Sequence, residues 1–104
     1  MADLAAIIDE AKNASSDAAF AHLVAYGDKA DVGGAWVVIS GRSALARHFK
    51  KIKFGSPHHR GGWGFPVVPR MPAQSRVIFE KAADAYVQVL MRHGIEAHTY
   101  SYAD

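Results

Sequence analysis

The sequence predicts an α+β domain: a small two- or three-stranded sheet packed by a long C-terminal helix, with a helical hairpin at the N-terminus. Three observations carry this. Ala35 to Ser40 (AWVVIS) is short, β-branched and aromatic, and is bounded by Gly34 and Gly41, as a strand should be. Ser75 to His93 is a long run of broadly spread apolar residues that ends at Gly94, as a central helix should. Ile95 to Tyr102 alternates Ile95, Ala97, Thr99 and Ser101 against Glu96, His98, Tyr100 and Tyr102, the two-residue period of a half-buried strand.

The remaining elements follow in order. Asp3 is a good N-cap, and Leu4, Ile7, Ile8 and Ala11 then mark one helical stripe to about Lys12. Asn13 to Ser16 interrupts the stripe, and Ser16 or Asp17 opens a second short helix through Phe20, Leu23 and Val24 that Gly27 ends, which makes a hairpin, with a single kinked helix as the alternative. Asp28 to Gly34 reads as a polar loop. After the first strand, Ser40 or Ser43 caps a helix from about Ala44 to Lys53. It sets Leu45, His48, Phe49 and Ile52 against Arg47, Lys50 and Lys51. Gly55 to Pro72 holds all four prolines and four of the nine glycines, so no long regular element fits there. Such a segment inside a small domain is a binding loop or is disordered, with Phe65 to Val68 as an edge strand.

At 104 residues the chain suits one domain, and the loop at 55–72 lies within it. There is no cysteine, which removes disulfides, thiolate ligands and a Cys nucleophile. The first residues carry no basic stretch before an apolar run, and charges interrupt the most apolar segment, Val77 to Met91. No membrane span is expected, and the cytoplasm is the expected location.

Charge is distributed unevenly. Residues 1–31 hold six acids against two lysines, a balance of −4; residues 32–79 hold eight cations and no acid, +8; residues 80–104 give −2. The eight are Arg42, Arg47, Lys50, Lys51, Lys53, Arg60, Arg70 and Arg76, and both tryptophans, Trp36 and Trp63, lie among them. A band of this kind favours an anionic partner, nucleic acid or an acidic protein surface, and also permits homo-oligomers in which basic middle meets acidic end. Phosphates need cations placed together, and single strands also need flat side chains on which bases stack. The expected binding residues are therefore Arg42, Arg47, Lys50, Lys51, Lys53, Arg60, Trp63 and Arg76. A solvated basic face is the plain alternative, since Lys50, Lys51 and Lys53 in a last helical turn are favoured by the helix dipole alone. Arg76, in a first turn, has no such support. The turn Ser40-Gly41-Arg42-Ser43 could cradle a phosphate, although ordinary capping explains it too and it matches neither a P-loop nor a dinucleotide fingerprint.

Neither a catalytic residue nor a metal ligand or cofactor is assigned. His58 and His59 are adjacent, with no acidic residue nearby and no helical H-x-x-x-H spacing. A metal-free nuclease using His58, His59 or His98 beside Arg60 is an alternative without a specific spacing behind it. The run Arg70-Met71-Pro72-Ala73-Gln74 before an apolar helix resembles the M-P-A-[RQ] segment that precedes the last helix of small head-to-tail joining and tail-completion proteins of long-tailed bacteriophages. The likeness covers about a quarter of the chain, and Ser75-Arg76 stand where that pattern has Pro-Phe. It implies a ring-forming virion component. A phage accessory protein acting on a host nucleic-acid-handling complex, in the host cytoplasm, would share the composition. The expectation is a non-enzymatic binding protein.

Overall fold

Asp3 Oδ1 accepts the Ala5 N–H at 3.3 Å and opens α1, which then runs without a break from Leu4 to Tyr26. The computed structural model describes residues 3–28, 32–67 and 75–103 of the chain. Within them α1 is followed by β1 (Gly33–Ile39), α2 (Ala44–Lys51), β2 (Ser56–Pro57), β3 (Trp63–Pro66), α3 (Arg76–Arg92) and β4 (Ala97–Ala103). The fold is α+β: three helices and one antiparallel sheet of four strands in the order β2-β3-β1-β4.

The expected helical hairpin is corrected to a single helix. Asn13 to Ser16 contains no Gly or Pro, so it costs only a few tenths of a kcal/mol per residue in helical propensity. Tertiary packing more than offsets that. Ile7, Ile8, Ala11, Ser15 and Ala19 form one buried stripe on α1, and the Ser15 hydroxyl donates to the Ala82 carbonyl of α3 at 2.9 Å. Ala82 and Ala83 are fully buried, and small side chains on both helices leave little bulk between them.

The sheet is larger than the two or three strands expected, because the Gly/Pro-rich segment supplies two of them. β2 and β3 form a hairpin around the tip His58 to Gly62, closed by the His58 N–H donating to the Gly62 carbonyl at 2.9 Å. The strand expected at Phe65 to Val68 is shifted to Trp63–Pro66 and is not an edge, since it lies between β2 and β1. β1 pairs antiparallel with β4, Trp36 opposite Tyr100 and Ile39 opposite Ala97. Arg70 to Gln74, including the run that resembles the phage segment, lies outside the described residues.

All three helices cover one face of the sheet. Ala35, Val37, Ile39 and Phe65 point to that face and join Leu45, Phe49, Ile78, Ala82, Tyr86 and Leu90 in the core. Phe49 of α2 and Tyr86 of α3 meet the Phe65 ring at 4.7 and 5.3 Å between centroids. Thr99 on β4 donates to Asp84 of α3 at 2.6 Å, which marks the same side.

α2 is two residues shorter than expected. Its end is a Schellman turn: the Phe54 N–H reaches the Phe49 carbonyl at 2.8 Å, the Lys53 N–H reaches that of Lys50 at 3.2 Å, and the Phe49 and Phe54 rings touch. Lys53 takes the left-handed position of that motif, φ 59°, and so lies beyond the last turn. α3 closes in the same way through Gly94 and Ile95.

Candidate functional site

Four of the expected binding residues meet at the turn between β1 and α2. Ser43 caps α2, its Oγ accepting the Ala46 N–H at 3.1 Å and donating to the Ser40 carbonyl at 2.8 Å. That folds the turn tightly. Arg47 then reaches back to the Arg42 carbonyl at 2.9 Å and Lys50 to that of Gly41 at 2.8 Å. Lys50 Nζ also lies 5.4 Å from the centre of the Trp63 ring, whose Nε1–H donates to the Phe54 carbonyl at 3.0 Å. Cations from α2 and an aromatic ring from β3 thus share one surface. Each of Arg47 and Lys50 spends one donor on the turn and keeps the others.

The remaining expected residues are placed differently. Lys51 is exposed, and Lys53 lies at the mouth of a groove between α1 and α2 of about 480 Å³ that also takes in Asp9, Lys12, Phe54 and Tyr86. Burial pushes the Tyr86 hydroxyl well above its ordinary range. Arg76 is held away from the band by Glu80, one turn on, at 2.9 Å, which answers how a cation sits in a first turn. Arg60 sits on the opposite face of the sheet, 5.6 Å from the Tyr100 ring centre.

Among the described residues, none of Arg42, Arg47, Lys50, Lys51, Lys53 and Arg60 has a carboxylate within 4 Å. Three of the acids are engaged elsewhere: Glu10 with Arg92 and His93, Glu80 with Arg76, Asp84 with Thr99. His93 is the cap residue of α3, its Nε2 lying 2.9 Å from Glu10 Oε1.

The sheet's other face carries Trp36, Tyr100 and Tyr102, which the sequence reading did not count as a site, beside Arg60 and the histidines named for the nuclease alternative. The pairing of β1 with β4 sets Trp36 beside Tyr100 and Gly34 beside Tyr102, and His98 follows on the same side. The hairpin tip folds over this face, laying Gly62 against Val38 and His58 beside Tyr100 at 4.7 Å. The two histidine rings lie 4.4 Å apart between centroids, tilted by 34°. His58 Nδ1 accepts the Arg60 N–H at 3.3 Å, while its Nε2 is buried without a hydrogen-bond partner. Partial burial, then the positive neighbours His59, His98 and Arg60, hold His58 below its ordinary value. Among the described residues no three His, Asp or Glu side chains form a group able to hold a metal ion. The signal for this face was the alternation of His98, Tyr100 and Tyr102. What sequence could not supply was the register that brings Trp36 and Arg60 to them.

The fold and site define a small α+β domain with segregated charge and an aromatic sheet face. Compared with protein-family models, curated proteins and solved structures, the chain matches none. Among the described residues no helix is long and apolar enough to cross a membrane.

Proposed function

We propose that the chain is a non-enzymatic binding protein that engages a polyanion, nucleic acid in the first place, through Arg42, Arg47 and Lys50 around Trp63, with the exposed Lys51 further along α2. The observation that carries this reading is the set of cations left without carboxylate partners among the described residues, while Glu10, Glu80 and Asp84 are engaged at α1 and α3. Unpaired cations side by side repel one another and are stabilised by phosphates that bridge them. Trp63, fixed by its own hydrogen bond and flanked by Lys50, adds a rigid flat group to the same surface.

The test is the salt dependence of binding to a fluorescent oligonucleotide. For about four phosphate contacts on a single strand, log K should fall with log salt at a slope near −3. Arg42→Glu changes a guanidinium with no intramolecular bond of its own among the described residues, so it should weaken binding to every sequence alike and flatten that slope. Affinity indifferent to salt contradicts the reading.

A further inference from the structure

We infer that the open face of the sheet is a stacking platform for the unpaired bases of single-stranded nucleic acid, formed by Trp36, Tyr100 and Tyr102 with Arg60 at its edge. The inference rests on the nucleic-acid reading above and names the kind of strand bound. It comes from a different part of the molecule.

Two of the rings lie close over glycines of the sheet. Tyr102 lies across Gly34, where a Cβ would stand 2.6 Å from its hydroxyl oxygen, and Trp36 and His58 flank Gly64, where a Cβ would stand 3.3 Å from each ring. Two glycines in neighbouring strands thus leave room for rings to lie against the sheet instead of standing off it. Between Trp36, Tyr100, His58 and His59 there is a cleft of about 220 Å³, walled by ring faces and edges. Every base has a π-face that such walls can take, whatever its sequence. Bases inside a duplex are already stacked on one another, so only an unpaired strand can offer them.

Charge around this face suits a polyanion. Arg60, His59 and His98 border it, with Glu96 just before β4 lining the same end as His98. The basic turn lies beyond one end of this face: β1 ends at Ile39, from which the chain enters Ser40 to Ser43, and the hairpin tip stands over Val38 at that end. A strand whose phosphates lie on Arg42 and Lys50 would pass the hairpin tip to bring its bases to Trp36, Tyr100 and Tyr102.

The experiment compares four fluorescent probes at low salt by anisotropy: a thymidine oligomer, an abasic strand with the same number of phosphates, a duplex of the same length, and polyglutamate. Stacking predicts that the oligomer binds at least roughly tenfold tighter than the abasic strand. Tyr100→Leu and Tyr102→Ala should each reduce that preference and leave the abasic affinity unchanged. Tyr102 is 40% exposed, so its variant is the one that keeps the fold, checked by circular dichroism. Equal binding of oligomer and abasic strand overturns the platform while the polyanion reading stands. Tighter binding of polyglutamate than of any strand, or no binding of any probe, overturns both.

Discussion

Val37 and Val38 are neighbours on β1 and both are buried, but by different means. Val37 faces the helices and is enclosed by the core, whereas Val38 faces the other way and is enclosed by the protein's own hairpin tip. The covered face is closed by Phe49, Phe65, Ile78 and Leu90, so its burial is continuous and cooperative with folding. The open face is closed at one end by five residues of loop and elsewhere is surfaced by Trp36, Tyr100, Tyr102 and His98, which remain partly or fully exposed. One face therefore holds the molecule together, and the other leaves rings and the Arg60 guanidinium at the surface.

If that division is right, substitutions on the covered face act on stability and those on the open face act on binding. Phe65→Ala should have the largest effect, a loss of about 3–5 kcal/mol, because the ring lies between α2 and α3 and its removal leaves a cavity. Urea denaturation reads this directly. A loss under about 1 kcal/mol would mean that the helices are not organised on this face.

The second prediction concerns pH on the open face. His58 in the folded chain binds its proton less readily than the ordinary value of 6.5, so the unfolded chain takes up the proton first. Stability from this group is complete above about pH 6.5 and declines as pH falls through that value toward the lower folded one. Melting curves between pH 8 and pH 5 should show the decline, and His58→Gln should reduce it. An unchanged pH profile in the variant would detach His58 from the seating of the hairpin.

The smallest expected effect tests the edge between the two regions. Lys53 occupies the left-handed position of a Schellman turn, where α3 uses Gly94. Lys53→Gly should stabilise the fold by up to about 1 kcal/mol, since the backbone strain of a side chain there is removed. Binding affinity in the same variant shows what the Lys53 charge contributes.

Much of the covered face was legible in the sequence. β1, α3 and β4 follow from β-branched content, a long apolar spread ended by glycine, and strict alternation, all local signals. The continuous α1 was not legible, because it depends on Ser15 finding the Ala82 carbonyl 67 positions away. β2 and β3 were hidden by the prolines and glycines around them; Pro57 sits on the two-residue edge strand, where a missing donor is tolerated, and Pro66 ends β3. The cations at the β1–α2 turn were legible as a band but not as a surface. Capping at Ser43 gathers Arg42, Arg47 and Lys50, a local fold leaves Arg60 on the far face, and Glu80 takes Arg76 out of the set.

The central claim is that a nucleic-acid strand occupies the basic turn and the open face, and leaves α1 and the outer side of α3 alone. It is tested most directly by titrating the ¹⁵N-labelled protein with a thymidine oligomer and following its amide resonances. The account predicts shifts concentrated in Gly41 to Lys51, His58 to Gly64 and His98 to Tyr102. Shifts confined to α1 and α3, or none at saturating oligomer, would contradict it.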